Sequence, residues 1–219
     1  KFIGDAIMAF WNAPVDVPDH EAKALRAAIA MREKLAQLNG ADAFQLRASK
    51  APVEALGIGI GLCSGEALVG NMGLETRFDY SALGDTVNVA SRVESACKEV
   101  GYDILCAEPT YLATQDFALL EAGALALKGK AERVPIYLVV GDDALAGTGA
   151  FRLLRTTHAE VLDGLRHGRD VHGGIAECLA LAPQVEPGLV KFYEQLPARR
   201  ADFEVRDTLQ PLTPDIAAQ

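Results

Sequence analysis

The sequence lacks several features that would define a class of protein at once. It has no apolar run approaching 18 residues, so we expect no membrane-spanning helix. Its 21 lysine and arginine residues are outnumbered by 30 aspartate and glutamate residues, which gives a net charge of −9. A nucleic acid is therefore not the expected partner, because phosphate backbones need clustered cations. The four cysteines have no metal-ligand spacing and are expected to be reduced thiols.

What the sequence does contain is a mixed pattern of strands and helices. Half of the 219 residues are hydrophobic, which is enough for a substantial core. The first eleven residues predict a strand, a Gly-Asp turn and a second strand, and the apolar spacing from His20 to Leu38 predicts a helix. Further strands are predicted at 56–62, 67–70, 78–81, 104–107, 119–128 and 134–140, and further helices at 86–100, with Asp85 as N-cap, and 109–114. Frequent hairpins among these elements indicate an α+β fold.

The character of the chain changes after the last predicted strand. Residues 141–150 are small and polar, which predicts a linker. Residues 151–210 show helical apolar spacing on both sides of a Gly-Arg-Asp turn, which predicts a helical tail with a hairpin loosely like one tetratricopeptide (TPR) unit. One such unit cannot bury its own apolar face, so we expect the tail to dock on the preceding domain or on a partner.

Two glycine-rich segments do not predict a phosphate-binding loop. The segment Gly57-Ile-Gly-Ile-Gly61 lacks the third glycine of a dinucleotide fingerprint. The segment from Gly65 to Gly70 has the glycine spacing of a P-loop but is followed by Asn71 and Met72 instead of Lys and Ser or Thr. Neither segment therefore indicates a mononucleotide or dinucleotide fold of those kinds.

The most informative stretch is residues 79–92, Asp-Tyr-Ser-Ala-Leu-Gly-Asp-Thr-Val-Asn-Val-Ala-Ser-Arg. A short extended segment meets a Gly-Asp turn, and the following helix carries Asn88 and Arg92 four residues apart on one face. An amide and a guanidinium in that arrangement can hold a sugar and neutralise a reacting phosphate. The opening segment, Lys-Phe-Ile-Gly-Asp-Ala-Ile-Met-Ala-Phe-Trp, adds the Asp5 carboxylate at a turn and Lys1 four residues before it.

Together these segments resemble the class III nucleotidyl cyclases, the family that makes cyclic AMP or cyclic GMP. The resemblance runs from Lys1 to about Val140. It implies a ferredoxin-like class III cyclase sheet with flanking helices over residues 1–140, followed by a C-terminal helical extension. It also implies that the N-terminal part of the domain, with its first strand and the first of two metal-binding aspartates, lies upstream of Lys1.

The resemblance also implies roles for individual residues. In the family, the ribose 3′-oxygen attacks the α-phosphorus while pyrophosphate leaves, with two Mg²⁺ or Mn²⁺ ions in each active site. Asp5 matches the second metal-binding aspartate, whose partner aspartate is expected upstream. Asn88 matches the residue that positions the ribose, and Arg92 matches the residue that stabilises the transition state. Lys130, in a Lys-Gly-Lys turn, matches a lysine that reaches the terminal phosphates.

Lys1 and Ser81 match the two positions that read the base. The lysine ammonium can donate to adenine N1, which accepts a hydrogen bond, whereas guanine N1 carries a hydrogen. Family members that use ATP pair this lysine with Asp or Thr, and those that use GTP carry Glu and Cys. Ser81 can accept from the adenine amino group or donate to a carbonyl, so Lys1 discriminates more than Ser81 does. The pairing resembles that of the bacterial-type subgroup.

The resemblance as a whole implies an adenylate cyclase that acts as a homodimer with its active sites at the interface, because one chain carries residues of both half-sites. An upstream sensor or regulatory domain is expected, as is a cytoplasmic location, including the cytoplasmic part of a membrane-anchored sensor protein. Two alternatives stay open: a guanylate cyclase, and a catalytically silent cyclase-homology domain for dimerisation or nucleotide sensing. The presence of Asp5, Asn88 and Arg92 argues against the silent domain.

Overall fold

The computed structural model describes residues 1–45, 55–74, 77–126 and 133–203, and it has the predicted α+β fold. Its strands are β1 (Phe2–Ile3), β2 (Ala6–Ile7), β3 (Ile60–Leu62), β4 (Leu68–Leu74), β5 (Arg77–Leu83), β6 (Ile104–Ala107), β7 (Ala118–Leu125) and β8 (Val134–Gly141). Its helices are α1 (His20–Gly40), α2 (Asp85–Val100), α3 (Glu108–Ala113), α4 (Asp143–Ala146), α5 (Gly149–Arg166), α6 (His172–Val185) and α7 (Leu189–Gln195), followed by a 3-10 helix over Leu196–Asp202. Among these helices, none combines the length and the hydropathy that crossing a bilayer requires.

A four-stranded sheet in the order β3-β6-β8-β7 forms the centre of the molecule. Strands β3 and β6 are parallel, and the β6–β8 and β7–β8 pairs are antiparallel. Two further hairpins, β1–β2 and β4–β5, form separate two-stranded sheets in the described chain. All four residues of β6 are buried, and they alternate between two hydrophobic clusters, one on each face of the sheet.

Helices cover both faces of this sheet. On one face α1 contributes Leu25 and Ala28 to the cluster that contains Ile104 and Cys106 of β6. On the other face α2 and the tail helices pack against Leu105 and the alternate residues of β7 and β8. The sheet is therefore the middle layer of a three-layer arrangement.

Helix α2 lies directly on strand β3. Its buried side chains are Val89, Val93, Ala96, Cys97 and Val100, which recur at the three- and four-residue spacing of one helical face. The contact with β3 is backbone to backbone, because a Cβ placed on Gly61 would lie 2.2 Å from the Glu94 nitrogen and 2.3 Å from the Ala90 oxygen. Gly61 thus allows close packing of the helix on the strand.

Among the local predictions that differ from the structure, two concern β3 and the start of α2. The strand predicted at 56–62 extends over Ile60–Leu62, the three residues that pair with β6. Asp85 was predicted to cap α2 but is the first residue of the helix, and Gly84 is the N-cap. Gly84 has φ +154°, and a Cβ there would lie 3.2 Å from the Glu66 oxygen, so the turn requires glycine.

The helical tail docks on the four-stranded sheet, which is one of the two outcomes that its apolar face predicted. Phe151, Leu154, Phe192 and Tyr193 are fully buried in the same cluster as α2 and the sheet. Helix α7 also meets the end of α2, because a Cβ on Gly101 would lie 2.4 Å from Gln195 Oε1. The 141–150 stretch contains α4 and the start of α5, and the division into domain, linker and TPR-like tail stays a prediction.

A buried polar chain joins the tail to strand β7. His158 Nε2 lies 2.9 Å from the Glu121 carbonyl oxygen, and its Nδ1 lies 3.0 Å from the Tyr193 hydroxyl. A carbonyl can only accept, so Nε2 carries the hydrogen and Nδ1 accepts from the Tyr193 hydroxyl. Burial lowers the pKa of His158 from 6.5 to about 4, so the imidazole is neutral in the folded protein.

Arg32 makes a second connection, between α1 and the tail. Its guanidinium donates to the Tyr102 hydroxyl at 2.7 Å and to the Val140 oxygen at 2.8 Å, and it pairs with Glu186 at 3.1 Å. Glu186 follows directly after α6, and its carboxylate also accepts from the Gly188 nitrogen. One largely buried arginine thus holds together a helix, a strand and the α6–α7 turn.

Candidate active site

Strand β5 leads through the single residue Gly84 into α2, and this unit places three of the predicted site residues. Ser81 is a partly buried residue near the end of β5, and Asn88 and Arg92 are exposed on the first half of α2. They directly precede the buried Val89 and Val93, so they lie at the edge of the buried stripe. The amide and the guanidinium are therefore displayed one helical turn apart beside the strand that carries Ser81.

A loop braces the start of this helix. The Thr86 hydroxyl donates to the Glu66 carbonyl at 3.1 Å. Gly65 has φ +154°, and a Cβ at this position would lie 2.6 Å from Thr86 Oγ1, so the loop can approach α2 only with glycine there. The contact fixes the turn that separates Ser81 from Asn88.

The structure brings Lys1 to the same strand. Its ammonium forms an ion pair with the Asp79 carboxylate, two residues before Ser81 on β5. Lys1 also pairs with Met8 through two backbone hydrogen bonds of 2.9 and 3.0 Å, which extend the β1–β2 hairpin. The ring of Phe10 lies 5.9 Å from the ring of Tyr80, so the N-terminal segment touches β5 at two consecutive residues.

The face of β5 that carries Ser81 is open across the hairpin. In the β4–β5 register Gly70 is opposite Ser81 and Met72 is opposite Asp79, so these four residues share one face. A Cβ on Gly70 would meet nothing within 4 Å. The strand pair therefore leaves space next to the Ser81 hydroxyl.

Asp5 lies in the turn between β1 and β2 and is exposed. Gly4, with φ +62°, forms this turn. A carboxylate is a suitable ligand for Mg²⁺ or Mn²⁺. In the described ranges, however, no group of three or more His, Cys, Asp or Glu side chains is arranged to hold a metal ion, so Asp5 offers one part of such a site. Lys130 lies outside the described residues.

Buried cysteines contribute no reactive thiol next to this site. Burial raises the pKa of Cys97, on the inner face of α2, to about 12 and that of Cys178 to about 11. Both are therefore protonated at neutral pH. The groups that the site displays are the Lys1 ammonium, the Ser81 hydroxyl, the Asn88 amide and the Arg92 guanidinium, which suit binding of a base, a sugar and a phosphate.

Sequence reasoning missed Asp79 as a neighbour of the site. Its position two residues before Ser81 was a usable signal, because alternate residues of a strand share a face. Sequence reasoning also missed the Glu66–Thr86 brace, whose hydrogen bond joins residues 20 positions apart in a loop and a helix.

The two hairpins, β1–β2 and β4–β5, expose several large apolar side chains. Five large side chains are strongly exposed there: Phe2 (79%), Ile3 (54%), Ile7 (56%), Leu68 (71%) and Leu83 (57%). These side chains are close in the chain to Lys1, Asp5 and Ser81.

Comparison with known proteins points to one family. Residues 1–141 match the family described as "Adenylate and Guanylate cyclase catalytic domain". "Adenylate cyclase 1" of Rhizobium meliloti is 38% identical over 156 residues, covering 68% of this chain and 23% of that protein. "Adenylate cyclase" of Anabaena cylindrica is 35% identical over 143 residues, covering 64% of this chain and 27% of that protein. The chain thus spans about a quarter of the length of these two relatives.

Solved structures give the same result. The crystal structure of the adenylyl cyclase CyaB from P. aeruginosa superposes with a TM-score of 0.56 at 35% identity, covering 65% of this chain and 70% of that one. A bacterial light-regulated adenylyl cyclase gives a TM-score of 0.50 at 25% identity, covering 71% of this chain and 43% of that one. The family match covers well over half of the residues, and the fold agrees with it. The chain therefore belongs to the adenylate and guanylate cyclase catalytic domain family, the class III cyclases.

Proposed function

We propose that the chain is the catalytic domain of an adenylate cyclase, which converts ATP to 3′,5′-cyclic AMP and pyrophosphate. The observation that carries the proposal is the β5–α2 unit, with Ser81 on the strand and Asn88 and Arg92 one turn apart on the helix. The Lys1 ammonium, from the N-terminal segment, pairs with Asp79 of the same strand. These groups can contact a base, a sugar and a phosphate. The similarity to proteins named adenylate cyclase supports ATP as the substrate.

Lys1 and Ser81 are proposed to read the adenine. The ammonium donates to N1, and the hydroxyl accepts from the 6-amino group. Guanine has a donor at N1 and a carbonyl at C6. Its N1–H would therefore face the Lys1 ammonium, which is also a donor. A site that matches the hydrogen-bonding edge of adenine leaves polar groups unpaired when guanine binds, and this loss discriminates between the two bases.

Asn88 and Arg92 are proposed to act at the reacting centre. The ribose 3′-oxygen forms a bond to the α-phosphorus, the bond from that phosphorus to the pyrophosphate oxygen breaks, and the 3′-hydroxyl proton passes to the surrounding water. Asn88 holds the ribose so that the 3′-oxygen faces the phosphorus. Arg92 donates to the phosphoryl oxygens as negative charge builds up on them.

Asp5 is proposed as one ligand of the two divalent metal ions, Mg²⁺ or Mn²⁺, and Lys130 as a contact for the terminal phosphates. A metal ion at this site supplies charge neutralisation for the triphosphate. The described residues alone complete no metal site, and the roles given to the base, ribose and phosphate contacts do not depend on one.

A second copy of the chain is the proposed partner, with the active site between the two. One protomer supplies Asp5, and the other supplies the base-reading pair and the two α2 residues. The distribution of the proposed site residues supports this assembly, because one chain carries residues of both half-sites. An upstream sensor or regulatory domain and a cytoplasmic location complete the proposal.

The test is product formation by the full-length protein given ATP or GTP with Mg²⁺ or Mn²⁺. We expect cyclic AMP from ATP and a loss of roughly 100-fold or more in kcat in Asn88→Ala and Arg92→Ala. Lys98→Ala, an exposed change on the same helix, is the matched control and should leave kcat unchanged. Cyclic GMP from GTP alone would identify a guanylate cyclase. A folded dimer that makes neither product would instead be a silent regulatory domain.

A further inference from the structure

We propose that Asp79 is the positioning residue for Lys1 and thereby a determinant of base specificity. The inference rests on the proposed function, since it concerns how the base-reading lysine is held. Asp79 touches Lys1 directly.

The first support is the contact itself. The Lys1 ammonium and the Asp79 carboxylate form an ion pair between residues 78 positions apart in the chain. The pair lies where the N-terminal segment meets β5, next to the Phe10–Tyr80 ring contact. The ion pair therefore forms part of a contact between two segments, and it brings the lysine ammonium to β5.

The second support is the position of Asp79 relative to Ser81. Asp79 and Ser81 are two residues apart on β5 and point to the same face. A two-residue step along a strand is about 6.6 Å, so an ammonium on Asp79 stands beside the Ser81 hydroxyl. Gly70, opposite Ser81, leaves that face open. Lys1 is thus held at the edge of the space into which Ser81 points.

The third support is the chemistry of the pair. A lysine side chain has four flexible carbons, and its ammonium has three donors. A hydrogen bond to Asp79 uses one donor, restricts the chain and leaves donors for a ring nitrogen. The side chains of Lys1 and Asp79 are 32% and 55% exposed, and ion pairs of that exposure contribute little to fold stability. The main effect of the Lys1–Asp79 pair is therefore to position the lysine ammonium.

The experiment measures base selectivity in the full-length protein carrying Asp79→Asn. The readouts are the ratio of kcat/KM for ATP over GTP and, independently, the ratio of dissociation constants for the α,β-methylene analogues of ATP and GTP, which cannot be cyclised. We expect both ratios to fall by about fivefold, mainly through a higher KM for ATP, with kcat changed less than twofold. The thermal midpoint should stay within about 1 °C of the wild type.

Three controls separate positioning from a general effect. Asp79→Glu keeps the carboxylate and should recover most of the selectivity. Asp143→Asn removes a carboxylate of equal exposure, 55%, that pairs with Arg26, and should leave both ratios unchanged. In a Lys1→Gln background, Asp79→Asn should have no further effect on analogue binding, because its effect passes through the lysine.

The outcomes distinguish this inference from the proposed function. Ratios within twofold of the wild type in Asp79→Asn overturn the inference, even if cyclic AMP is made. An undiminished effect of Asp79→Asn in the Lys1→Gln background overturns it as well. If the protein makes no cyclic nucleotide but its analogue selectivity falls in Asp79→Asn, the inference stands and the enzymatic proposal fails. Equal binding of the two analogues by the wild type would overturn the inference directly.

Discussion

The buried His158 should make the stability of this protein fall as the pH drops from 7.5 to 5.5, and His158→Gln should remove that part of the pH dependence. His158 is 3% exposed, and its pKa is lowered from 6.5 to about 4 by burial. Above pH 6.5 the imidazole is neutral in both states and contributes no pH dependence. Below that, the unfolded chain binds a proton that the folded protein does not, so unfolding becomes more favourable. The loss is complete below about pH 4.

The size of the effect follows from the two pKa values. The difference between 6.5 and about 4 corresponds to about 3.4 kcal/mol in total. Between pH 7.5 and 5.5 about 1.3 kcal/mol of this is realised, because the lower pH is one unit below the unfolded pKa. Other groups titrate too, among them Asp103, whose carboxyl pKa is raised by burial. They are present in both proteins and cancel in the comparison.

The assay is urea unfolding followed by circular dichroism at pH 7.5, 6.5 and 5.5. The wild type should lose about 1.3 kcal/mol more than His158→Gln over this range, or about 0.5 M in the urea midpoint. At pH 7.5 the variant itself should be less stable by about 1–3 kcal/mol, because the Glu121 carbonyl or the Tyr193 hydroxyl loses a well-placed partner. His167→Gln, at an exposed histidine just after α5, is the control and should follow the wild type. Equal losses in wild type and His158→Gln would refute the reasoning.

Three further changes test the packing. Gly61→Ala should destabilise the protein by about 1–3 kcal/mol, because its Cβ would meet the α2 backbone, whereas Gly70→Ala in an open position should cost about 0.5 kcal/mol or less; equal urea midpoints would contradict this. Phe192→Ala, in the core shared by the tail and the sheet, should cost about 3–5 kcal/mol, and Leu153→Ala, 51% exposed on α5, should cost much less. A Phe192→Ala protein as stable as Leu153→Ala would mean that the tail does not share the core. Arg32→Ala should lower the free energy of unfolding by about 2 kcal/mol, because it leaves Glu186 and the Val140 carbonyl without this partner. Arg26→Ala, in an exposed ion pair, should lower it by about 0.5 kcal/mol. Comparable thermal midpoints for the two variants would rule this out.

The parts of the fold that were predictable from the sequence are those with a strong local period. The Val89–Val93–Cys97 spacing predicted α2 to within one residue at its start, and the four apolar residues of β6 were placed at their observed bounds. The apolar spacing of α2 marks the face that it buries, and the unbroken apolar run of β6 marks a strand that is buried on both faces, so the local pattern was sufficient to predict these two elements.

The features that were not predicted from the sequence depend on contacts between segments that are distant in the chain. Residues 56–59 have the composition of a strand, but the parallel strand β6 begins only at Ile104, which is opposite Ile60, so the ladder begins there. The need for glycine at position 61 comes from the backbone of α2, about 30 residues further along. Lys1 and Ser81 were both singled out from the sequence, yet the pairing of Lys1 with Asp79 was not, because this ion pair exists only once the N-terminal segment lies on β5.

Because α7 contacts Gly101 at the end of α2, a small tilt of α2 at this contact would move the other end of the helix. The helix has 16 residues, and the proposed ribose contact Asn88 stands about 18 Å along its axis from the end that α7 touches. A tilt of about 5° at the Gly101 end would swing Asn88 by about 1.6 Å, and a misplacement of 1 Å can cost an enzyme about 100-fold in rate. Under the proposed function, Gln195 of the tail, which touches the opposite end of α2, thereby takes part in aligning the ribose contact.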